Sequence, residues 1–302
     1  MITICYRRLD RVTLLRRYAS PKAVTEFNGT LGVAFAHAAN GYLTKYPHKH
    51  STVFSKSYDG KEWGTGVSFR FFSLQKKPAI AISCTPALLA QDDWVDFNSL
   101  IETMFNFGVK EVWEEFKVSK LEVAMDVAIP FAEMVCFSPG ITATDTSCLK
   151  DGTMYIGARY GRRSFCIYDK RKQLLEKKKF KLGKDLTRVE VRLRSLGKSL
   201  SQFANLDNPF GKLIAVRKSG LVQLAEQYPL DFELRDFVKS SLAGGIAQHA
   251  YLDLDIYTRK RLVKLLRSRA LPLNGDKSKL NAWLQNQLQH MKNNLYGVPQ
   301  CN

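Results

Sequence analysis

Residues 153–194 read TMYIGARYGRRSFCIYDKRKQLLEKKKFKLGKDLTRVEVRLR, and three patterns within them decide the fold class. Residues 153–158 (TMYIGA) and 164–169 (SFCIYD) are short runs rich in β-branched and aromatic side chains on either side of a Gly-Arg turn, the mark of a hairpin. Residues 170–184 are rich in Lys, Leu and Gln and stop at Gly183, as a helix does. Residues 186–194 (LTRVEVRLR) alternate strictly and make a further strand. Hairpins and helices in this order, without a regular βαβα alternation, indicate an α+β fold.

The same grammar extends outward. Residues 120–129 (KLEVAMDVAI) predict a strand ended by Pro130. Upstream, 31–37 (LGVAFAH), 66–72 (GVSFRFF) and 78–83 (PAIAIS) read as strands bounded by Gly, Pro or polar turns. Between 96 and 116 the apolar residues Phe97, Leu100, Ile101, Met104, Phe105, Val109, Val112, Trp113 and Phe116 fall at helical spacing, interrupted by Gly108. Beyond residue 199 the pattern is helical, over 229–243, 256–269 and 277–294. The expectation is a pseudo-duplicated, mostly antiparallel pair of sheet lobes with helices on one face and a helical C-terminal region. It divides as an N-terminal α+β lobe (1–118), a second α+β lobe (119–198) and a basic helical region (199–302).

Charge narrows the function classes. The 302 residues carry 46 Lys plus Arg against 28 Asp plus Glu, a formal +18, which points to a polyanionic partner. Between 159 and 198 stand fifteen basic residues and four acids, so +11 of that charge sits in forty residues. With 45% hydrophobic residues the chain can bury a core, which excludes wholesale disorder. No apolar run approaches the ~18 residues of a membrane span. The first seventeen residues lack the apolar core of a leader, so the expected location is the cytoplasm. Six scattered cysteines without C-x-x-C spacing argue against a zinc knuckle or disulfide framework.

Alternation assigns the chemistry-bearing residues to faces. In 164–169, Ser164, Cys166 and Tyr168 share one face, with Lys170 and Arg171 immediately after. A tyrosine at a strand end among cations can act as a covalent nucleophile, because positive charge favours the phenolate and holds a phosphate; it can equally be a core tyrosine. Glu122 and Asp126 share a face of 120–129, and Arg188, Glu190, Arg192 and Arg194 share one of 186–194. Such carboxylates could hold one hard divalent cation, or could make cross-strand ion pairs. Residues 257–269 (YTRKRLVKLLRSR) place Leu262, Leu265 and Leu266 on one stripe and cations around the rest, as for a helix lying on duplex DNA or a solvated packing helix. The pair His48 and His50 flanks Lys49 in a stretch expected to be a loop.

The order KLEVAMD, TMYIGAR, FCIYDKRKQ, TRVEVRLR resembles the replication initiators of rolling-circle plasmids and filamentous phages, the Rep_trans family and the related phage gene-two proteins. The similarity runs from about residue 46 to residue 194. The resemblance implies a nicking and joining endonuclease related to the HUH enzymes. In that reading Tyr168 is the nucleophile that becomes linked to a 5′ phosphate, and Lys170 contacts the scissile phosphate or lowers the tyrosine pKa. It also implies Glu122, Asp126 and Glu190 as ligands of Mg²⁺ or Mn²⁺. The expected DNA contacts are Arg159, Arg162, Arg163, Arg171, Lys172, Arg188, Arg192, Lys260, Arg261 and Lys264. The partners it implies are origin DNA, as a single-stranded or hairpin nick site with flanking duplex, together with a host helicase and a second copy in a homodimer. The histidine pair of the HUH enzymes has no match here. The competing functions are a non-catalytic, sequence-specific DNA-binding regulator and an RNA-binding sheet platform. Tyr155 and Tyr160 are the alternatives for a second tyrosine.

Overall fold

A computed structural model of the chain describes residues 4–48, 50–58, 66–73, 77–106, 108–142, 148–150, 152–158, 161–178, 183–199, 202, 208–244, 247–271 and 277–295. The fold is α+β. Its strands are β1 (Ile4–Arg17), β2 (Thr44–His48), β3 (Ser51–Lys56), β4 (Val67–Phe72), β5 (Ala79–Cys84), β6 (Lys117–Val127), β7 (Met134–Phe137), β8 (Cys148–Lys150), β9 (Thr153–Ile156), β10 (Arg163–Asp169), β11 (Thr187–Ser199) and β12 (Ile214–Arg217). The chain divides into two compact units. The first comprises Met1–Arg8, Val123–Arg194 and Asp207–Asn281, and the second Leu9–Glu122, Ser195–Leu206 and Ala282–Asn302.

In the second unit the strand order is β2-β3-β4-β5-β1-β6, with the pairs β2–β3, β3–β4, β4–β5 and β5–β1 antiparallel. Two helices, α1 (Pro21–Ala39) and α2 (Gln91–Phe105), cover the same face. Phe27 of α1 meets Phe71 edge-on at 5.8 Å, and Phe97 of α2 meets Phe69 two residues along the same strand at 6.1 Å. Residues 31–37, expected to be a strand, lie inside α1. Ser20 caps that helix by accepting from the Ala23 N–H, and Pro21 starts it. Phe27, Thr30 and Ala34 are buried at helical spacing, whereas the apparent alternation was made of Gly and Ala, which have little strand preference. The single helix expected over 96–116 is two, because Asn106 adopts the left-handed conformation and Gly108 precedes α3 (Val109–Glu115).

Around residues 46–51 the expected loop is a hairpin: β2 pairs with β3 in register Thr44↔Ser55 through His48↔Ser51. Pro47 is tolerated because β2 is an edge strand. His48 and His50 are both exposed at the turn. The 4–17 segment, read only for a leader, is strand β1.

In the first unit the order is β6-β11-β10-β9-β8, and β10 is antiparallel to β9 and to β11. Helix α4 (Lys170–Lys178) begins directly at the end of β10, where Asp169 accepts from the Lys172 N–H at 2.9 Å and closes its first turn. A second core belongs to the same unit. Strands β7 and β12 pair, and helices α5 (Lys218–Gln227), α6 (Phe232–Leu242), α7 (Ala247–Asp253) and α8 (Ile256–Arg267) pack on them. That core is built from Val135, Phe137, Val216, Leu221, Leu234, Phe237, Tyr251, Leu262 and Leu266 among others. Gln248 ties it to the chain after β7, accepting from the Ser138 N–H at 2.6 Å. The last helix, α9 (Lys277–Leu295), ends beside α2, where Asn98 donates to the Asn294 carbonyl at 2.6 Å.

Candidate active site

The register of β10 on β11 builds the site. Phe165 faces Val191 and Ile167 faces Val189 on the apolar side, while Ser164, Cys166 and Tyr168 sit opposite Arg192, Glu190 and Arg188 on the other. Tyr168 and Glu190 are therefore diagonal neighbours, close enough for a long side chain to reach. The Tyr168 phenol donates to Glu190 Oε1 at 2.7 Å, and both residues are buried. Arg192 donates to the other oxygen of the same carboxylate, Glu190 Oε2, at 3.1 Å. Ser164 accepts from Arg194 at 3.3 Å on the same face.

Arg188 is engaged from the neighbouring strand. Its Nε donates to Asp126 Oδ1 at 2.5 Å and its Nη2 to Asp126 Oδ2 at 2.6 Å, a bidentate fork between side chains only 4% and 6% exposed. The sequence reading had made Arg188 a DNA contact and Asp126 a metal ligand; the structure joins them as one ion pair. Glu122, on the β6 face it shares with Asp126, takes the Lys120 ammonium at 2.6 Å.

Lys170 opens α4 two residues beyond the tyrosine. Its Nζ lies 5.8 Å from the centre of the Tyr168 ring and donates to Gln173 Oε1 at 2.5 Å. Burial lowers its pKa most, the charges of Arg188 and Arg8 lower it further, and Asp126 and Glu190 raise it; the result is about 8. Lys170 and Arg188 thus flank a phenol already aligned on a carboxylate, and Arg8 is close enough to Lys170 to act on its charge. Arg8 is the member that sequence reading missed. It comes from β1, whose buried apolar residues Leu9, Val12 and Leu14 change parity along the strand, so no period-two signal was there to find.

A divalent cation needs carboxylate oxygens that are free to ligate it. Both Asp126 oxygens accept from Arg188, and Glu190 accepts from Tyr168 and Arg192. Among the described residues no three His, Cys, Asp or Glu side chains come together as a metal-binding group. Glu122, Asp126 and Glu190 in this arrangement do not fit a three-carboxylate metal centre.

The remaining expected contacts are dispersed. Arg162 is exposed, and Arg163 is partly buried. Arg171 is exposed and pairs with Asp185 at 2.7 Å, and Lys172 lies 3.8 Å from Glu176. Lys260 and Lys264 are exposed on α8, and Arg261 pairs with Asp231 at 2.6 Å. Arg159 and Tyr160 lie outside the described residues, and Tyr155 faces Cys166 across the β9–β10 pair. Cys84 and Cys136 are buried free thiols, and burial raises both to about 12; Cys166 is also buried. No helix among the described residues is long and apolar enough to cross a membrane.

No family model and no curated protein matches the sequence. Among solved structures the chain is similar to a rolling circle replication initiator protein from Geobacillus stearothermophilus, over 80% of this chain and 98% of that one. The TM-score is 0.35 and the identity 12%.

Proposed function

We propose that this protein nicks and rejoins one strand of DNA through a covalent link to Tyr168, as an initiator of rolling-circle replication on a plasmid or phage origin. The observation that carries the reading is the buried 2.7 Å hydrogen bond from the Tyr168 phenol to Glu190, with Lys170 5.8 Å from the tyrosine ring and Arg188 opposite it in the strand register. A core tyrosine needs one acceptor, but it does not need a lysine near its ring and an arginine opposite it. In the proposed step Glu190 takes the phenolic proton as general base, and the phenolic oxygen forms a bond to phosphorus. The bond from phosphorus to the 3′ oxygen breaks, leaving a 5′ phosphotyrosine and a 3′ hydroxyl once that oxygen takes up a proton. Rejoining is the same exchange in reverse. Lys170, Arg188 and Arg8 counter the negative charge of the phosphate and of the transition state.

The test is direct. Protein incubated with single-stranded and supercoiled DNA of its replicon, with and without Mn²⁺ or Mg²⁺, is digested, and the peptide carrying a nucleotide is identified by mass spectrometry. The adduct is expected on Tyr168 and absent from Tyr168→Phe. Glu190→Gln should slow adduct formation about 10²–10⁴-fold, the usual worth of general base catalysis, with single-strand binding retained. An adduct that survives Tyr168→Phe sinks the assignment. Tight binding with no adduct under any condition would establish the non-catalytic DNA-binding function instead.

A further inference from the structure

We infer that helix α8 is a separate grip for the backbone of duplex DNA, made by Lys260, Lys264 and Arg267 on its outer face. The inference rests on DNA being the partner, but not on the chemistry at Tyr168.

Helix α8 is locked into its own core. Leu262 and Leu266 are fully buried there, and Asp255 caps the helix by accepting from the Tyr257 and Thr258 N–H groups. Two of its neighbouring cations are committed to holding the fold: Arg259 donates to the Tyr251 and Leu252 carbonyls, and Arg269 to Gln227 and the Leu265 carbonyl. The cations left on the surface are not scattered. At 100° per residue, Lys260, Lys264 and Arg267 fall within an arc of about 60° that points away from Leu262 and Leu266. Tyr257, 79% exposed, extends that arc at its start. The helix itself holds no carboxylate. Among the described residues no acidic side chain is paired with Lys260, Lys264 or Arg267, whereas Arg261, at the arc's edge, is held by Asp231.

Three like charges on adjacent turns of a rigid helix repel one another, and nothing in the core needs them there. A polyanion of regular charge spacing relieves that repulsion. The choice of polyanion follows from the rest of the surface. A lipid bilayer needs a broad apolar face to insert, and apart from Ile256, 60% exposed at its start, the aliphatic residues of α8 pack on its core. A single strand needs several aromatic platforms, and this arc has one, Tyr257. A straight helix of twelve residues, about 18 Å long, lies along the edge of a duplex groove. Asp253 and Asp255, both exposed at the N-terminal end, direct the contact to the later turns, and so to phosphates rather than to base edges.

The experiment uses the full chain carrying Tyr168→Phe, so that binding is read without nicking. Fluorescence anisotropy measures affinity for a 30-base-pair mixed duplex, the corresponding single strand and phosphatidylserine vesicles across a salt series. The triple variant Lys260→Ala/Lys264→Ala/Arg267→Ala should bind duplex on the order of 10²–10³-fold more weakly at 0.1 M salt. The slope of log K against log salt should flatten by about 2.7, since each lost phosphate contact is worth about 0.9. Single-strand affinity should change little, and Lys260→Arg/Lys264→Arg/Arg267→Lys should restore the duplex slope. Duplex affinity and slope unchanged in the alanine variant would overturn the inference. So would a loss confined to vesicles or to single strands. Failure of the tyrosine chemistry would leave every one of these readings as it stands.

Discussion

The fork between Arg188 and Asp126 makes a prediction whose size can be worked from its burial. With side chains 4% and 6% exposed and contacts of 2.5 and 2.6 Å, neither group is screened by water, so the figure for a buried pair applies without a surface discount. Removing one partner leaves the other charge buried and unpaired, which costs about 3–5 kcal/mol. Asp126→Asn should therefore lower the calorimetric transition of the first unit by on the order of 10 °C. Replacing both, as Asp126→Leu/Arg188→Met, removes the uncompensated charge, and stability should return to within about 1–2 kcal/mol of the parent. That variant should be folded and still unable to form the adduct, because the cation beside Tyr168 is gone. Calorimetric titration with Mn²⁺ separates this role from metal ligation: Asp126→Asn should leave Mn²⁺ affinity unchanged. A double variant as unstable as the two single losses combined, a cost for Asp126→Asn below about 1 kcal/mol, or a tenfold loss of Mn²⁺ affinity would each refute the reasoning.

Lys170, held near pH 8, loses its charge in the native state before it does in the unfolded chain. Between about pH 8 and 10.5 the unfolded state binds the extra proton, so stability gains a rising contribution across that window, and urea titrations of Lys170→Gln should lack it. Single-strand binding by the Tyr168→Phe protein should weaken above pH 8 more steeply than by the same protein carrying Lys170→Gln. At Gly66 an added Cβ would lie 2.1 Å from the Lys56 carbonyl oxygen, so Gly66→Ala must displace the β3–β4 hairpin, and thermal melts should show a loss of at least about 1–3 kcal/mol. Asp96 accepts from the Tyr42 and Tyr58 phenols and from Lys56 at 2.5–2.7 Å, donors that outweigh burial and hold its pKa below the usual range. Asp96→Ala should cost about 1–3 kcal/mol at pH 7 and progressively less at acid pH, where the parent carboxylate is protonated.

The strands around the site were legible because each buries one regular face. In β10 and β11 the alternation is strict, and it alone puts Tyr168, Glu190 and Arg188 on one side of the strand pair. What sequence could not show was pairing across strands. Register joins Asp126 to Arg188 instead of leaving it beside Glu190, and the spacing along either strand is the same in both cases. Strand β1 was hidden by the parity change between Leu9 and Val12, and with it Arg8. Residues 31–37 misled in the opposite direction: Gly and Ala imitate alternation, and the true signal stood ten residues earlier, in the Ser20-Pro21 start. The second core was foreseen only as helices, since β7 and β12 are four residues each and lie far apart in the chain.

Strands β1 and β6 each supply residues to both units, with Ile4–Arg8 joining a body otherwise made from Val123 onward. That arrangement constrains the chain while it is being made. At about 5–20 residues per second, Arg8 leaves the ribosome roughly 10–40 s before Arg194 does, so the first unit cannot close until long after its opening strand has emerged. Leu9–Glu122, by contrast, is complete early except for its two short later pieces. Both units wait for later segments, Asp207–Asn281 for the first and Ala282–Asn302 for the second, so neither is complete when Arg194 emerges. It follows that no single cut releases the proposed catalytic unit intact: a fragment beginning at Val123 lacks Arg8, and one ending at Glu122 lacks Tyr168.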